Sequence, residues 1–323
     1  MKKLICVIMA AALLICGCSK EEQTDERWPI EIDGYTFSAP PKKVVSLSPG
    51  VTESLYMLGY GGFIVGISDN CKLPDAADDM PRCGTAIFPD LSDITKLKPD
   101  LVFTSAALSK HDKKAIEEAG GMIVEVTAAE SVEGLLKNSY LICAAFEGKE
   151  KAELKQKELT KFFEVTQKYI AAELKNEIES GETTAIYLRK LPFIMATGET
   201  LESEFLTQMG FVNAAKQYSD WSYPSEEAAA LMPDYIFCDD SISLEDLQAS
   251  VYYKATPAVL NEKVYTLSAE DFERRSARIF FALESLAEEI LPDGFEDKKP
   301  NFKIKIQPPP EPEKSWWEKL FFN

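Results

Sequence analysis

Short aliphatic runs alternate with longer amphipathic stretches along most of this chain. Val44–Leu47, Ile64–Ile67, Leu101–Thr104 and Ile123–Val126 are apolar and rich in β-branched residues, the pattern of buried strands. Between them, Thr52–Leu58, Asp90–Leu97, His111–Ala119 and Val132–Phe146 carry helical spacing. Such alternation predicts a parallel sheet with helices on its faces. Pro99-Asp100 before Leu101 and Gly120-Gly121 before Met122 put turns where that sheet needs them. From Gly148 the texture changes. Ala152, Leu159, Phe162, Phe163, Tyr169, Ile170, Leu174 and Ile178 recur near helical spacing among many Lys and Glu, which predicts one rigid helix over 148–181. Strands then return at Ala185–Leu188, Phe193–Ala196, Tyr235–Cys238 and Val264–Leu267. Helical stretches at Leu201–Met209, Ser225–Leu231, Leu244–Ala249 and Ala277–Glu289 alternate with them, and Pro233-Asp234 before Tyr235 repeats Pro99-Asp100 before Leu101.

The fold class expected is therefore α/β: two parallel-sheet, Rossmann-like lobes joined by one long rigid helix, with a ligand cleft between the lobes. The lobes span 42–147 and 182–296. In open α/β sheets ligands sit beyond the carboxyl ends of the strands, so the loops there are the candidate cleft. In the first lobe these are Ser48-Pro49, Asn70, the Ala86–Phe88 loop and Ser105. In the second they are Met195 with Thr197, the Trp221–Tyr223 loop, and Glu270-Asp-Phe-Glu-Arg-Arg275.

The amino end has a different character. Met1-Lys2-Lys3 is basic, Leu4 to Ile15 is apolar, and Ile15-Cys16-Gly17-Cys18 closes the run with small residues before a cysteine. That run is too short for a permanent membrane span. It reads as a lipoprotein signal peptide over 1–17, with lipidation of Cys18; a plain signal peptide with an incidental cysteine is the alternative. Residues 18–41 then form a tether, its first part polar. The expected location is outside the cytoplasm, anchored by lipid and facing the periplasm or the cell exterior.

Charge and cysteine content narrow the partners. The formal net charge is −18, and loss of Lys2 and Lys3 with the leader makes it −20. So acidic a surface would repel nucleic acid and suit a partner with a basic face. Cys143 and Cys238 lie in apolar runs and read as core thiols, while Cys71 and Cys83 flank loops of one lobe, where export would permit a disulfide. No CxxC or Cys/His cluster is present, and the single His111 leaves too few imidazoles for a bare zinc or manganese receptor. A chelated metal is favoured over a free ion. Gly-x-Ser-x-Gly is missing too, so an exported hydrolase using the same cleft is the weaker class.

Several segments in fixed order carry a family resemblance. They are Val44-Val-Ser-Leu-Ser-Pro49, Thr52-Glu53, Gly66-Ile-Ser-Asp69, Pro81-Arg-Cys-Gly84, Leu97-Lys-Pro-Asp-Leu-Val102, Ala196-Thr-Gly198, Gly210-Phe-Val-Asn213, Pro233-Asp-Tyr-Ile236 and Val264-Tyr265. Over 42–295 the chain resembles the solute-binding proteins of ABC importers for cobalamin, ferric siderophores and haem. The resemblance implies a monomeric receptor with no enzyme activity and no cofactor. It would pass a corrinoid or an iron chelate to a permease driven by ATPase subunits. Asp271-Phe-Glu-Arg-Arg-Ser-Ala-Arg-Ile279 resembles the pocket loop of cobalamin binders. By that match Glu270, Phe272 and Arg274 meet a corrin, and Trp221 covers its apolar face. Cobalamin binders line the first lobe with aromatics where this chain has Asn70 and Ala86, with Phe88 close by. Arg274 and Tyr223 would equally anchor the carboxylates of a siderophore or haem. The resemblance also implies permease docking through one acid per lobe, at Glu226 and at Asp93, beside the family's position Ser92. It does not reach 297–323, a Pro-rich extension ending in aromatic residues.

Overall fold

The computed structural model describes residues 27–72, 79–177, 183–267 and 272–280, together with Leu283, Leu286 and Ile290. The leader, Cys18, Glu270 and the extension 297–323 lie outside the described residues.

The first lobe contains a parallel sheet of β3 (Val44–Ser46), β4 (Ile64–Ile67), β5 (Leu101–Thr104) and β6 (Met122–Glu125), in the order β4-β3-β5-β6. Helices α1 (Pro49–Met57), α2 (Leu91–Leu97), α3 (Lys110–Glu118) and α4 (Val132–Glu147) alternate with the strands. Serine and aspartate side chains cap three of them: Asp90, Ser109 and Ser131 accept from the backbone N–H three residues on. Gly148 then adopts φ 84°, ending α4, and α5 (Lys149–Glu177) starts at once. At 29 residues it is ~44 Å long at about 1.5 Å per residue. It packs along α4, so the connector is the second arm of a helical hairpin.

The second lobe has β7 (Thr184–Lys190) at its centre, with β10 (Tyr235–Cys238) and then β11 (Val264–Thr266) parallel on one side. On the other side β9 (Val212–Asn213) pairs parallel and the two-residue β8 (Ile194–Met195) antiparallel. The expected Phe193–Ala196 strand is thus the short return arm of a hairpin. Helices α6 (Leu201–Gln208), α7 (Leu244–Ala249) and α8 (Pro257–Leu260) belong to this lobe, and about half of the helix expected at Ala277–Glu289 lies outside the described residues. The helix expected at Ser225–Leu231 is a 3-10 turn over Ser225–Ala230, preceded by Pro224 without a side-chain cap.

Residues 30–37 depart from the expected tether. Ile30–Ile32 (β1) and Tyr35–Phe37 (β2) form a hairpin whose Ile30, Ile32 and Phe37 are buried in the first lobe. Asp33 and Gly34 both take positive φ, the two-residue turn that Asp-Gly favours.

Period-two alternation along the strands decides the cores. Val44, Leu101 and Phe103 face one way, with Ala185, Tyr187, Tyr235 and Phe237 of the second sheet and Phe162 and Phe163 of α5, in one continuous apolar cluster. Val45 and Val102 face the opposite side of the first sheet, and Ile186, Leu188, Ile236 and Cys238 that of the second. The connector therefore shares its core with both lobes. Cys71, Cys83, Cys143 and Cys238 are buried free thiols, so Cys71 and Cys83 form no disulfide. Burial pushes the Cys83 thiol up to about 11 and Cys238 to about 12.

Candidate functional site

The strand-to-helix corner after β3 forms one wall of the site. Thr52 Oγ1 donates to Ser46 Oγ at 2.9 Å and to the Ser48 carbonyl at 3.0 Å, and Ser46 Oγ donates to the same carbonyl at 3.1 Å. All three residues are buried. Ser48 occupies the N-cap of α1 with extended backbone (φ −129°, ψ 125°), yet its side chain makes no capping bond.

The opposite wall is Glu273-Arg274-Arg275 of the second lobe. Between the walls lies a cavity of about 280 Å3, lined by Ser48, Ser54, Ser105, Thr127, Asn138 and Arg274 among others. The lobes meet at its base. Ser54 Oγ donates to the Gly50 carbonyl at 2.8 Å and accepts from Ala277 N–H at 3.0 Å. A Cβ on Gly50 would stand 2.5 Å from the Arg274 carbonyl oxygen, so only glycine permits this approach. Arg274 Nε lies 3.8 Å from Oε1 of Glu53, whose side chain has no exposed surface.

Two further acids set the electrostatics. Arg275 Nη1 donates to Glu202 Oε1 at 2.6 Å, and Glu202 is fully buried. Burial raises the Glu202 carboxyl above its usual range, against the pull of Arg275. Glu273 binds Arg189 Nε at 3.0 Å and accepts from Tyr187 OH at 3.1 Å. Its carboxyl is raised by burial, partly offset by Arg189 and that hydroxyl. Arg189 lies over the Trp221 ring at 5.4 Å, a cation–π contact. Trp221 (φ 56°) and Arg275 (φ 56°) hold left-handed backbone, a strain that surrounding contacts must sustain.

The fold brings together only part of the set expected from sequence. Ser48, Pro49, Ser105 and Arg274 line the cavity. Four expected cleft residues are core residues instead. Met195 and Tyr223 belong to the outer cluster of the second lobe, Ala86 to that of the first, and Phe272 to the central core. The Phe272 ring packs on Tyr187 at 5.0 Å, because it points into the lobe while Glu273 and Arg274 point out. Asn70 is exposed just past the end of β4, and Phe88 is 80% exposed, both away from the cavity lining. Trp221 stands one layer back, touching Tyr187 rather than the cavity. Sequence reading passed over Gly50, Ser54, Thr127 and Asn138. Thr127 follows β6 and was within reach of the strand-end rule; Asn138 on α4 gave no local signal.

The acids expected at the permease sit on the surface. Asp93 lies in the first turn of α2 and pairs with Lys96 at 2.8 Å. Glu226 is exposed in the 3-10 turn.

Comparison with known proteins gives a consistent picture. The family profile described as periplasmic binding protein matches residues 44–270. The "Uncharacterized ABC transporter substrate-binding lipoprotein YvrC" of Bacillus subtilis (strain 168) is 28% identical over 310 residues, covering 90% of this chain and 97% of that protein. The Fe(3+)-citrate-binding protein YfmC of the same organism is 26% identical, covering 83% of this chain and 89% of its own length. Among solved structures, the periplasmic vitamin B12 binding protein BtuF of Vibrio cholerae superposes with a TM-score of 0.57 at 19% identity, over 79% of this chain and 99% of that one. It shares the two-lobed fold.

Proposed function

The chain belongs to the periplasmic binding protein family, whose members are solute-binding transport proteins and not enzymes, and from that premise we propose that it is the extracytoplasmic substrate-binding component of an ABC importer. Its ligand is a metal chelate held between the lobes, and the iron chelates fit the geometry better than a corrinoid.

One observation carries this choice: the cavity is small, with polar groups set into a largely apolar lining. At about 280 Å3 it lies at the low end for small-molecule pockets, roughly 300–1,000 Å3. It is far smaller than a corrin or a porphyrin macrocycle. Its lining includes the hydroxyl residues Ser48, Ser105 and Thr127, with Asn138 and with Arg274, which also lies 3.8 Å from Glu53. These are groups for oxygen-rich, negatively charged chelates, which bind arginine strongly. The iron-citrate binding of a relative at 26% identity points the same way. Among the described residues no aromatic side chain lines the cavity as a corrin would favour: Ala86 stands where an aromatic is expected, Phe272 is buried and Trp221 lies behind Arg189.

A corrinoid remains the second reading, favoured by Ile87 and Phe88, which are 72% and 80% exposed and would suit an apolar macrocycle. Anchorage through Cys18 and docking through Asp93 and Glu226 complete the proposal. Titration of the purified protein with ferric citrate, cyanocobalamin and haemin, followed by tryptophan fluorescence, tests it. Saturable quenching by ferric citrate at lower concentration than by either macrocycle is expected. Saturation by cyanocobalamin alone would shift the ligand to the corrinoid.

A further inference from the structure

We infer that the amino end of α1 is a carboxylate subsite of this cleft, built from the Ser48 hydroxyl and the N–H groups of Gly50 and Val51 and faced by Arg274. The inference rests on the chelate-receptor reading above and narrows it to chelates that present a carboxylate.

The first N–H groups of a helix have no intrahelical acceptor. Normally the N-cap side chain takes one of them. Here the N-cap is a serine, with the extended backbone that capping uses, and it does not cap. Pro49 at the first helical position has no N–H, so Gly50 and Val51 are the leading donors of the turn, and neither has an acceptor among the described residues. No acidic residue stands in that first turn to neutralise it.

The second observation is the Ser48 side chain itself. Ser48 is only 6% exposed and lines the cavity. Its carbonyl is used twice, by Ser46 and Thr52, while its hydroxyl has no hydrogen-bond partner among the described residues. A hydroxyl that no protein group uses, standing at a cavity wall, is open to a bound group or to water. The neighbouring hydroxyls of Ser46, Thr52 and Ser54 are all engaged within the protein. Ser48 alone of that group is held in reserve at the cavity wall. A carboxylate there would accept from the serine O–H and the helix N–H groups, with the positive end of the helix dipole behind them. Arg274 faces the same space from the other lobe. Residue by residue this is an oxyanion cradle, lined by Gly50, whose side-chain position is taken by the Arg274 carbonyl oxygen.

The subsite makes opposite demands on folding and on binding, which gives a direct test. Ser48→Ala removes a hydroxyl that no protein group uses, so the fold should keep its unfolding midpoint while ferric citrate binds about tenfold more weakly. Ser48→Asp supplies the missing cap and places the protein's own carboxylate in the cradle. It should melt at or above the wild-type temperature and yet lose ferric citrate binding. Calorimetric titration with ferric citrate, cyanocobalamin and inorganic phosphate, beside thermal unfolding of each variant, reads both effects. Wild-type affinity for ferric citrate in both variants would refute the subsite and leave the receptor reading standing. So would cyanocobalamin binding that neither substitution changes. Inorganic phosphate competing as well as ferric citrate would show a phosphate site and overturn the carboxylate assignment. A wild-type protein that takes up no metal chelate would overturn the receptor reading, and the subsite with it.

Discussion

At Glu202 a carboxylate with no exposed surface is held against Arg275. Burial raises its proton affinity in the folded chain more than Arg275 lowers it, and Glu273 is displaced the same way. Above the ordinary glutamate range, about 4.3, the folded state therefore binds more protons than the unfolded one. The stability these groups contribute is fullest below that range and declines as pH rises through their raised values. Glu202→Gln removes one titration, so urea unfolding across pH 4–8 should show a shallower decline than the wild type; an identical slope would place the dependence elsewhere. Gly50 makes a different demand. An alanine Cβ there would press on the Arg274 main chain, which a rotamer change cannot relieve, so Gly50→Ala should cost about 1–3 kcal/mol in denaturant unfolding. Sequence showed neither effect. Glu202 reads locally as an ordinary acid in a helix's first turn, and Gly50 as an ordinary residue after proline. Their roles come from partners 73 and more than 200 positions away.

At the scale of elements, the joint between the first lobe and α5 is a partly buried polar knot. Lys155 Nζ donates to the Leu58 carbonyl at 2.9 Å, to Tyr60 OH at 2.8 Å and to Glu147 Oε1 at 2.9 Å. Tyr60 OH in turn donates to Glu147 at 2.7 Å, while its ring stacks on Phe146 at 4.3 Å. Burial alone would raise the Glu147 carboxyl, but the bonds from Lys155 and Tyr60 outweigh it and hold it below its usual range. This knot fixes the angle at which α5 leaves α4. Lys155→Met keeps the stem and removes the charge; since the ammonium is about a third exposed, a loss of about 1–2 kcal/mol is expected in urea unfolding. Strand and helix positions were legible from periodicity, and every expected strand is present within a residue or two, save the short β8. The hairpin at 30–37 was missed in favour of a tether, although Asp33-Gly34 between alternating Ile30, Ile32, Tyr35 and Phe37 is its local signal. The break at Gly148 was legible, but that α4 and α5 pack side by side was not.

Taken whole, the molecule carries the two acids proposed for permease docking, Asp93 and Glu226, on separate lobes and clear of the cavity lining. Replacing each with lysine should leave ferric citrate affinity within about twofold and reduce transport in cells, because rim charges act on association with a partner rather than on a separate buried site. Loss of ligand affinity in the double variant would show that these acids belong to the cleft. The sequence by itself determined the two α/β lobes and the long connector, because hydrophobic periodicity is written into each segment and needs no partner. It also determined which strand ends could border a cleft. Only the tertiary structure decided which side chains do so. Met195, Tyr223, Ala86 and Phe272 turn into cores while Ser48, Ser54 and Arg274 turn to the cavity, since a one-residue rotation along a loop reverses a side chain and the packing of distant segments sets that rotation.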